Sequence, residues 1–196
     1  MATVREGNKK ALLVVDAQVG VMQPTWQAPR IIQNIRIAVE KAREQGAPVI
    51  WVQHSDDELI YGSPEWQFAP ELSPAAAEVQ VHKQFNSSFE RTSLEEKLAK
   101  LEASHIVLAG AATNWCVRAT AYGALDRGYD LTLLKDAHTT ETVTFEDGVS
   151  IEAASVIHEL NMAMTWLSYP GRTTNTASVE DFDFAESEDM NANGKE

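Results

Sequence analysis

The stretch HIVLAGAATNWCVRAT, residues 105–120, joins an apolar run to a helical pattern and holds the only cysteine of the chain. The run Ile106–Ala109 predicts a buried strand, and Gly110 and three small residues follow it. Apolar residues at helical spacing come next, which puts Cys116 in the first turn of the predicted helix. Because ligands of open parallel sheets bind beyond the carboxyl ends of the strands, this thiol is predicted to lie at a ligand-binding edge.

The same alternation of strand-like and helix-like segments extends along most of the chain. Strand, helix, strand, repeated, is typical of a three-layer αβα fold of the α/β class, with a central, mostly parallel sheet that we expect to have six strands. The predicted strands cover residues 11–16, 47–53, 78–83, 105–110, 129–136 and 163–169. The predicted helices cover residues 31–46, 92–101, 114–128 and 149–162.

The length of 196 residues predicts one folded domain, which we place at residues 1–170. Residues 171–196 are polar and carry seven acidic residues against Arg172 and Lys195, and we expect them to form an acidic tail. We expect this tail to be loosely held; docking through Phe182 and Phe184 onto the domain or onto a neighbouring subunit is the alternative.

Composition excludes several classes of partner. The formal net charge of −13 argues against nucleic acid and against anionic membrane surfaces. No apolar run approaches the roughly 20 residues of a membrane span. One cysteine allows no internal disulfide, and the first ten residues contain no apolar signal core, so we expect a cytoplasmic protein with a free thiol.

Two other predicted strands end in residues with reactive side chains. Asp16 ends the first strand and Lys83 ends the strand EVQVHK. Taken singly, the three residues have ordinary interpretations: Asp16 as a helix cap, Lys83 as a solvated strand end and Cys116 as a small core residue. Together at one sheet edge they are typical of nucleophilic catalysis, because an ammonium favours the thiolate and a carboxylate can take up the thiol proton.

These residues lie in segments that resemble the isochorismatase-like cysteine hydrolases. The segments are LLVVDAQ (12–18), VHKQFNSSFERTSL (81–94) and LAGAATNWCVRATAYGALDRGYDLTLLKDAHTT (108–140), within a resemblance that covers roughly residues 11–166. The resemblance implies a catalytic triad of Asp16, Lys83 and Cys116. It also implies a cis peptide bond between residues 111 and 112, an oxyanion hole made by the N–H groups of Ala112 and Cys116, and a homo-oligomer, a dimer or larger.

Departures within the family restrict the expected chemistry. Members that cleave a vinyl ether often lack the cysteine, so its presence here favours cleavage of an amide-type C–N bond. Nicotinamidases of the family usually carry a metal site with an Asp-x-His motif and a further histidine, whereas here His54 precedes Asp56 and no other histidine occurs before His82. We therefore expect neither a metal nor a cofactor. The absence of a G-x-G-x-x-G motif near Gly110 also argues against a dinucleotide.

Several polar and aromatic residues are candidates for substrate binding, although buried aromatic side chains more often pack cores and interfaces. His138, in DAHTT, is interpreted as a structural loop histidine. The candidates for substrate contact are Gln18, Trp26, His54, Asn114 and Trp115.

The leading hypothesis is a cysteine hydrolase that cleaves a C–N bond of a small amide through a thioester acyl-enzyme. One alternative is a vinyl ether hydrolase of the isochorismatase type, with Asp16 as the acid and Cys116 incidental. The other is a non-catalytic thiol sensor or oligomeric binding protein on the same fold.

Overall fold

The computed structural model describes residues 2–185. The β-strands are β1 (Lys9–Val15), β2 (Val49–His54), β3 (Val79–Lys83), β4 (Ala103–Ala111), β5 (Asp130–Thr139), β6 (Val143–Thr144), β7 (Ser150–Ile151) and β8 (Thr174–Ala177). The α-helices are α1 (Val19–Met22), α2 (Ala28–Glu44), α3 (Leu94–Lys100), α4 (Arg118–Asp126) and α5 (Ala153–Trp166), and a π-helix covers Thr113–Val117. Among these helices none is both long and apolar enough to cross a bilayer.

Six of the strands form one parallel sheet in the order β3-β2-β1-β4-β5-β8. The register pairs Val15 with Gly110 and His54 with Lys83. Because the strands are parallel, the ends of β1, β2, β3 and β4 all reach the same edge of the sheet. The predicted α/β class with a six-stranded sheet is confirmed.

Alternate residues of each central strand face the two helical layers. In β1, Leu12 and Val14 pack against the face covered by α2. Leu13 and Val15 pack against the face covered by α3, α4 and α5. The sheet is therefore buried on both sides, as the continuous apolar runs of the sequence indicate.

Gly110 allows β4 to approach β1 where the strands end. A Cβ atom at this position would lie 1.9 Å from the carbonyl oxygen of Val15, and the φ angle of Gly110 is 125°. Any other residue would clash with that backbone and would adopt a strongly unfavourable conformation. The glycine thus sets the close approach that brings the residues after β4 to the end of β1.

The C-terminal part of the sheet differs from the prediction. The predicted strand at residues 163–169 is wrong, because α5 extends to Trp166. Ile157, Leu160 and Met164 are buried at helical spacing, so the apolar period continues past the predicted helix end. The sixth strand is instead β8, whose sequence TNTA contains no apolar pattern and forms a sheet edge.

Residues 171–185, assigned from the sequence to a tail, therefore include a strand and then a segment packed on the α2 face. Phe184 is buried, and its N–H donates to Gln45 Oε1 at 2.6 Å. The ammonium of Lys41 donates to the carbonyl of Val179 at 2.9 Å, and that of Lys10 to Asp183 O at 2.9 Å. This acidic segment thus docks on its own subunit through apolar packing and backbone carbonyls. Residues 186–196 of the predicted tail lie outside the described residues.

Candidate active site

The ends of β1, β2 and β3 bring three polar side chains to the edge of the sheet. Asp16 follows β1 with a φ angle of 49°, in the left-handed region where aspartate and asparagine are enriched among non-glycine residues. His54 ends β2, and Lys83 ends the neighbouring β3. Their convergence results from the parallel register of the strands.

The Lys83 ammonium lies between the carboxylate and the thiol. Its Nζ is 2.6 Å from Asp16 Oδ2 and 3.2 Å from Cys116 Sγ. All three residues are buried, and the side chains of Lys83 and Asp16 are 0% and 1% exposed. A buried charge must be compensated, and here the ammonium and the carboxylate compensate each other directly.

The thiol is carried by the π-helix rather than by the first turn of an α-helix. Residues Thr113–Val117 form this turn, directly after the Ala111–Ala112 peptide bond, which is cis. The carbonyl oxygen of Ala112 accepts the N–H groups of Trp115 and Val117, each at 3.1 Å. Single π turns within helices are frequent at functional sites.

The environment of Cys116 favours the neutral thiol. Burial raises its pKa to about 12, and the negative charge of Asp16 adds to this effect. Lys83 acts in the opposite direction, as the sequence analysis expected of an ammonium, but it does not offset burial. The resting group is therefore a thiol, which needs a base before it can attack.

Asp16 offers an oxygen that is suited to this task. Within the described residues, Asp16 Oδ1 is buried and has no hydrogen-bond partner, whereas Oδ2 is held by Lys83. Buried carboxylate oxygens are usually paired, so an unpaired one beside a thiol calls for an explanation. Acceptance of a proton during a reaction would provide one.

His54, predicted as a substrate contact, lies against Lys83. Its Nδ1 is 3.3 Å from Lys83 Nζ, and its Nε2 is 2.9 Å from Asp56 Oδ2. Sequence reasoning did not connect His54 with Lys83. The criterion that selected Asp16 and Lys83 could have found it, because His54 also ends a strand of the sheet.

Gln18, another predicted substrate contact, supports the backbone around the site. Its side-chain nitrogen donates to the carbonyl oxygens of His54 and Trp66 at 3.0 and 2.8 Å. Its side-chain oxygen accepts the N–H of His54 at 2.8 Å. Because the residue is fully buried and both amide protons are donated to backbone carbonyls, the structure places Gln18 in a supporting position.

Two of the other three predicted substrate contacts, Asn114 and Trp26, are hydrogen-bonded to Thr140. Asn114 Oδ1 accepts the hydroxyl of Thr140 at 2.6 Å, and the N–H of Trp26 donates to the carbonyl of Thr140 at 2.8 Å. Trp115 adjoins the thiol residue and is 59% exposed, and Trp26 is 39% exposed. Both indoles are therefore exposed to solvent, and their contact with substrate stays a prediction.

His138 is buried behind the π-helix. Its Nδ1 is 2.9 Å from Thr113 Oγ1, and its Nε2 is 3.0 Å from Asn161 Oδ1. Burial lowers the pKa of His138 to about 4, so the ring is neutral near pH 7. With the ring buried and both nitrogens engaged, the arrangement agrees with the structural interpretation of this histidine.

One donor set with the composition of a metal site occurs among residues 2–185. Ligand atoms of Asp16, His54 and Cys116 lie within 4.8 Å of one another. The Lys83 ammonium is within hydrogen-bond distance of all three side chains, so a positive charge already lies among them. His54 and Asp56, which the sequence analysis did not expect to bind a metal, form a hydrogen bond with each other.

A cavity of about 280 Å³ lies beside Lys83. Its wall includes Ser55, Phe85 and Arg91, and the guanidinium of Arg91 stacks over the ring of Phe85 at 5.3 Å. Polar and aromatic groups therefore line this space, and Lys83 is the one residue of the candidate triad in its wall.

Comparison with known proteins assigns the fold and the family. The family model described as the isochorismatase domain matches residues 10–165. The uncharacterized isochorismatase family protein YrdC of Bacillus subtilis is 30% identical over 181 residues, which cover 89% of this chain and 96% of that protein. The maleamate amidohydrolase of Pseudomonas putida is 29% identical over 155 residues, which cover 66% of this chain and 72% of that enzyme.

A solved structure leads to the same conclusion. The crystal structure of an isochorismatase from Pseudomonas putida has a TM-score of 0.77 at 28% sequence identity and covers 88% of this chain and 89% of that one. The chain therefore belongs to the isochorismatase family, as its sequence motifs predicted.

Proposed function

We propose that this chain is a cysteine hydrolase that cleaves a C–N bond of a small amide through a thioester acyl-enzyme on Cys116. The observation that carries the proposal is the buried Lys83 ammonium, 2.6 Å from a carboxylate oxygen of Asp16 and 3.2 Å from the thiol sulfur. Relatives in the same family support the bond type, since one of them is a maleamate amidohydrolase.

The first step is activation of the thiol. Asp16 takes the proton of Cys116 on its unpaired oxygen Oδ1, while Oδ2 stays bonded to Lys83. The Lys83 ammonium stabilises the thiolate as it forms. Because the pKa of the resting thiol is about 12, proton transfer is coupled to attack on the substrate rather than completed beforehand.

The second step is attack on the amide carbonyl. The C–S bond forms, and the carbonyl oxygen becomes an oxyanion, which we place against the N–H groups of Ala112 and Cys116. Ala112 directly precedes the π-helix, and Cys116 lies within it, so both N–H groups belong to the turn that follows β4. Backbone donors fixed in this way stabilise charge that develops in the transition state.

The remaining steps return the enzyme to its starting state. The C–N bond breaks as Asp16 gives its proton to the departing amine, and a thioester remains on Cys116. Water then attacks the thioester with Asp16 as the base, the C–S bond breaks and the acid product leaves. The thiolate regains the proton that Asp16 took from water, and Lys83 keeps its charge throughout.

Replacement of Cys116 by Ala tests the nucleophile. A library of small primary amides and ureides is screened with the wild-type chain for release of ammonia, and Cys116 is analysed by intact mass spectrometry during turnover. We expect an acyl adduct on wild type, and loss of both adduct and turnover in Cys116→Ala. Wild-type turnover by the variant would contradict the assignment, and isochorismate cleavage that persists without the thiol would favour the vinyl ether alternative.

A homo-oligomeric state and a cytoplasmic location stay predictions of the sequence analysis. The β6–β7 hairpin is relevant to the oligomeric state because it exposes four apolar residues, Val143, Phe145, Val149 and Ile151. Sedimentation of the purified chain with and without charged substitutions at Phe145 and Val149 would measure the oligomeric state.

A further inference from the structure

The Lys83 ammonium has three protons to donate, and three acceptors surround it. Two acceptors, Asp16 Oδ2 and Cys116 Sγ, belong to the predicted triad. The third is His54 Nδ1 at 3.3 Å. A lysine ammonium donates three hydrogen bonds and accepts none, so His54 Nδ1 can take part only as an acceptor, with its lone pair towards Lys83.

Asp56 determines which ring nitrogen of His54 carries the proton. Its Oδ2 is 2.9 Å from His54 Nε2, and a carboxylate can only accept there, so Nε2 carries a hydrogen. Nδ1 faces the Lys83 ammonium, so it is the ring nitrogen without a hydrogen. The pKa of Asp56 is lowered, first by the N–H of Leu59 and also by that of Glu58. Both groups donate to Asp56 Oδ1, at 2.7 and 2.9 Å, which leaves Oδ2 directed at the ring.

The backbone of His54 is held from the opposite side. Gln18 accepts the N–H of His54 at 2.8 Å and donates to its carbonyl at 3.0 Å. The residue is thus fixed at its main chain by Gln18 and at its ring by Asp56. A ring held at both ends is what precise placement of a third group requires.

We propose that His54 is a positioning residue of the active site, held by Asp56 in the tautomer that accepts the third proton of the Lys83 ammonium and so keeps the ammonium between Asp16 and Cys116. The inference rests on the proposed function and extends its triad by an Asp56–His54 pair. Without this acceptor, one N–H of the buried ammonium would lack a partner and the group would leave its position against the thiol. His54 is not required to contact the substrate.

The test uses the reactivity of Cys116 in the full chain, measured as the rate of alkylation by iodoacetamide. His54→Leu removes the acceptor, whereas His54→Asn is smaller but can place its amide oxygen where Nδ1 lies, since both atoms are bonded to Cγ. We expect a loss of about 10- to 100-fold in rate for His54→Leu, as for other hydrogen bonds to charged groups, and a rate within about threefold of wild type for His54→Asn.

A second variant acts without changing the ring. In Asp56→Asn the oxygen stays with the two backbone donors, so the new NH₂ group faces His54 Nε2 and moves the ring proton to Nδ1, opposite Lys83. We expect a loss similar to that of His54→Leu, since a wrong tautomer leaves two donors facing each other. His158→Leu, at an exposed position on α5, is the matched control and should alkylate like wild type.

The outcomes separate this inference from the proposed function. Far-ultraviolet circular dichroism and thermal unfolding first establish that each variant is folded. Slow alkylation of Lys83→Met together with wild-type rates for His54→Leu and Asp56→Asn would overturn the inference and leave the triad in place. A wild-type rate for Lys83→Met would overturn both. With an amide substrate, His54→Leu should lower kcat and leave KM unchanged, and a change in KM alone would assign His54 to substrate binding instead.

Discussion

Two polar clusters each contain one residue of the π-helix, Cys116 in the first and Thr113 in the second, and they differ in charge and in saturation. The first contains the ion pair of Asp16 and Lys83 beside Cys116, and one of its oxygens, Asp16 Oδ1, has no described partner. The second joins Thr113, His138 and Asn161, which carry no charge near pH 7.

A single placement of hydrogens satisfies the neutral cluster. Asn161 Nδ2 donates to the carbonyl of Lys135 at 3.1 Å, so its Oδ1 faces His138 and accepts the proton of Nε2. The other ring nitrogen then accepts the hydroxyl of Thr113 at 2.9 Å. A saturated network of this kind fixes structure, whereas the unpaired acceptor of the charged cluster is available for proton transfer. Burial alone therefore does not distinguish a structural cluster from a reactive one.

Removal of the unpaired acceptor should have the largest effect. Asp16→Asn keeps the size of the side chain but cannot take up the thiol proton, so we expect amide turnover to fall about 10²- to 10⁴-fold. Steady-state kinetics measure this loss, with Asp147→Asn in the exposed hairpin as the control for an aspartate substitution. Wild-type turnover in Asp16→Asn would show that the unpaired oxygen of Asp16 does not take up the thiol proton. The proposed difference between the two clusters would then be wrong.

Acid should lower stability through the neutral cluster and through His105, because burial lowers the pKa of both His138 and His105 to about 4. The pKa of His138 is about 4 in the folded chain and 6.5 in the reference state, so the unfolded chain binds the extra proton. Stability is then unaffected above pH 6.5, falls as the pH decreases, and levels off below pH 4, with a loss of about 3 kcal/mol from this residue. Urea unfolding between pH 8 and pH 4 measures the slope.

A variant provides the control for this pH dependence. His138→Asn should remove about half of the slope that the two histidines, His138 and His105, cause between pH 6.5 and pH 4. His158→Asn at the exposed position should leave the slope unchanged. Equal slopes for wild type and His138→Asn would mean that another group causes the loss of stability.

The smallest effect is expected from a single hydroxyl of the neutral cluster. Thr113→Val keeps the shape of the side chain and leaves His138 Nδ1 without a donor, which should lower the free energy of unfolding by about 1–2 kcal/mol. Thr144→Val, on the exposed hairpin, should change it by less than about 0.5 kcal/mol. Chemical denaturation measures both, and equal values would show that the bond from Thr113 to His138 contributes nothing.

The sequence predicted the elements that an apolar period defines, and it predicted which reactive residues end strands. The sheet, α2 and the convergence of Asp16, Lys83 and Cys116 followed from these two signals. Strand β8 could not be predicted in this way, because an edge strand with the sequence TNTA has no apolar face.

Within the site, the limit of prediction lay in contacts rather than in positions. The ends of strands were visible in the sequence, but the sequence does not say which ring nitrogen of His54 faces Lys83. The effect of burial on Cys116 was also missed, because helix position and a neighbouring lysine were considered without desolvation. The saturation of Gln18 by backbone groups depends on the path of residues 54–66, a segment without periodic pattern.

The ammonium of Lys83 gives the site its own counter-ion. It lies among one carboxylate, one imidazole and one thiol, which are donor types that zinc prefers, and it binds all three through protons instead of coordination bonds. Because this cation belongs to a side chain, each copy of the site contains it, whatever the concentration of metal ions in the surroundings. The chemistry of the site therefore depends on a single side chain, that of Lys83, whose four methylene groups hold the ammonium in position.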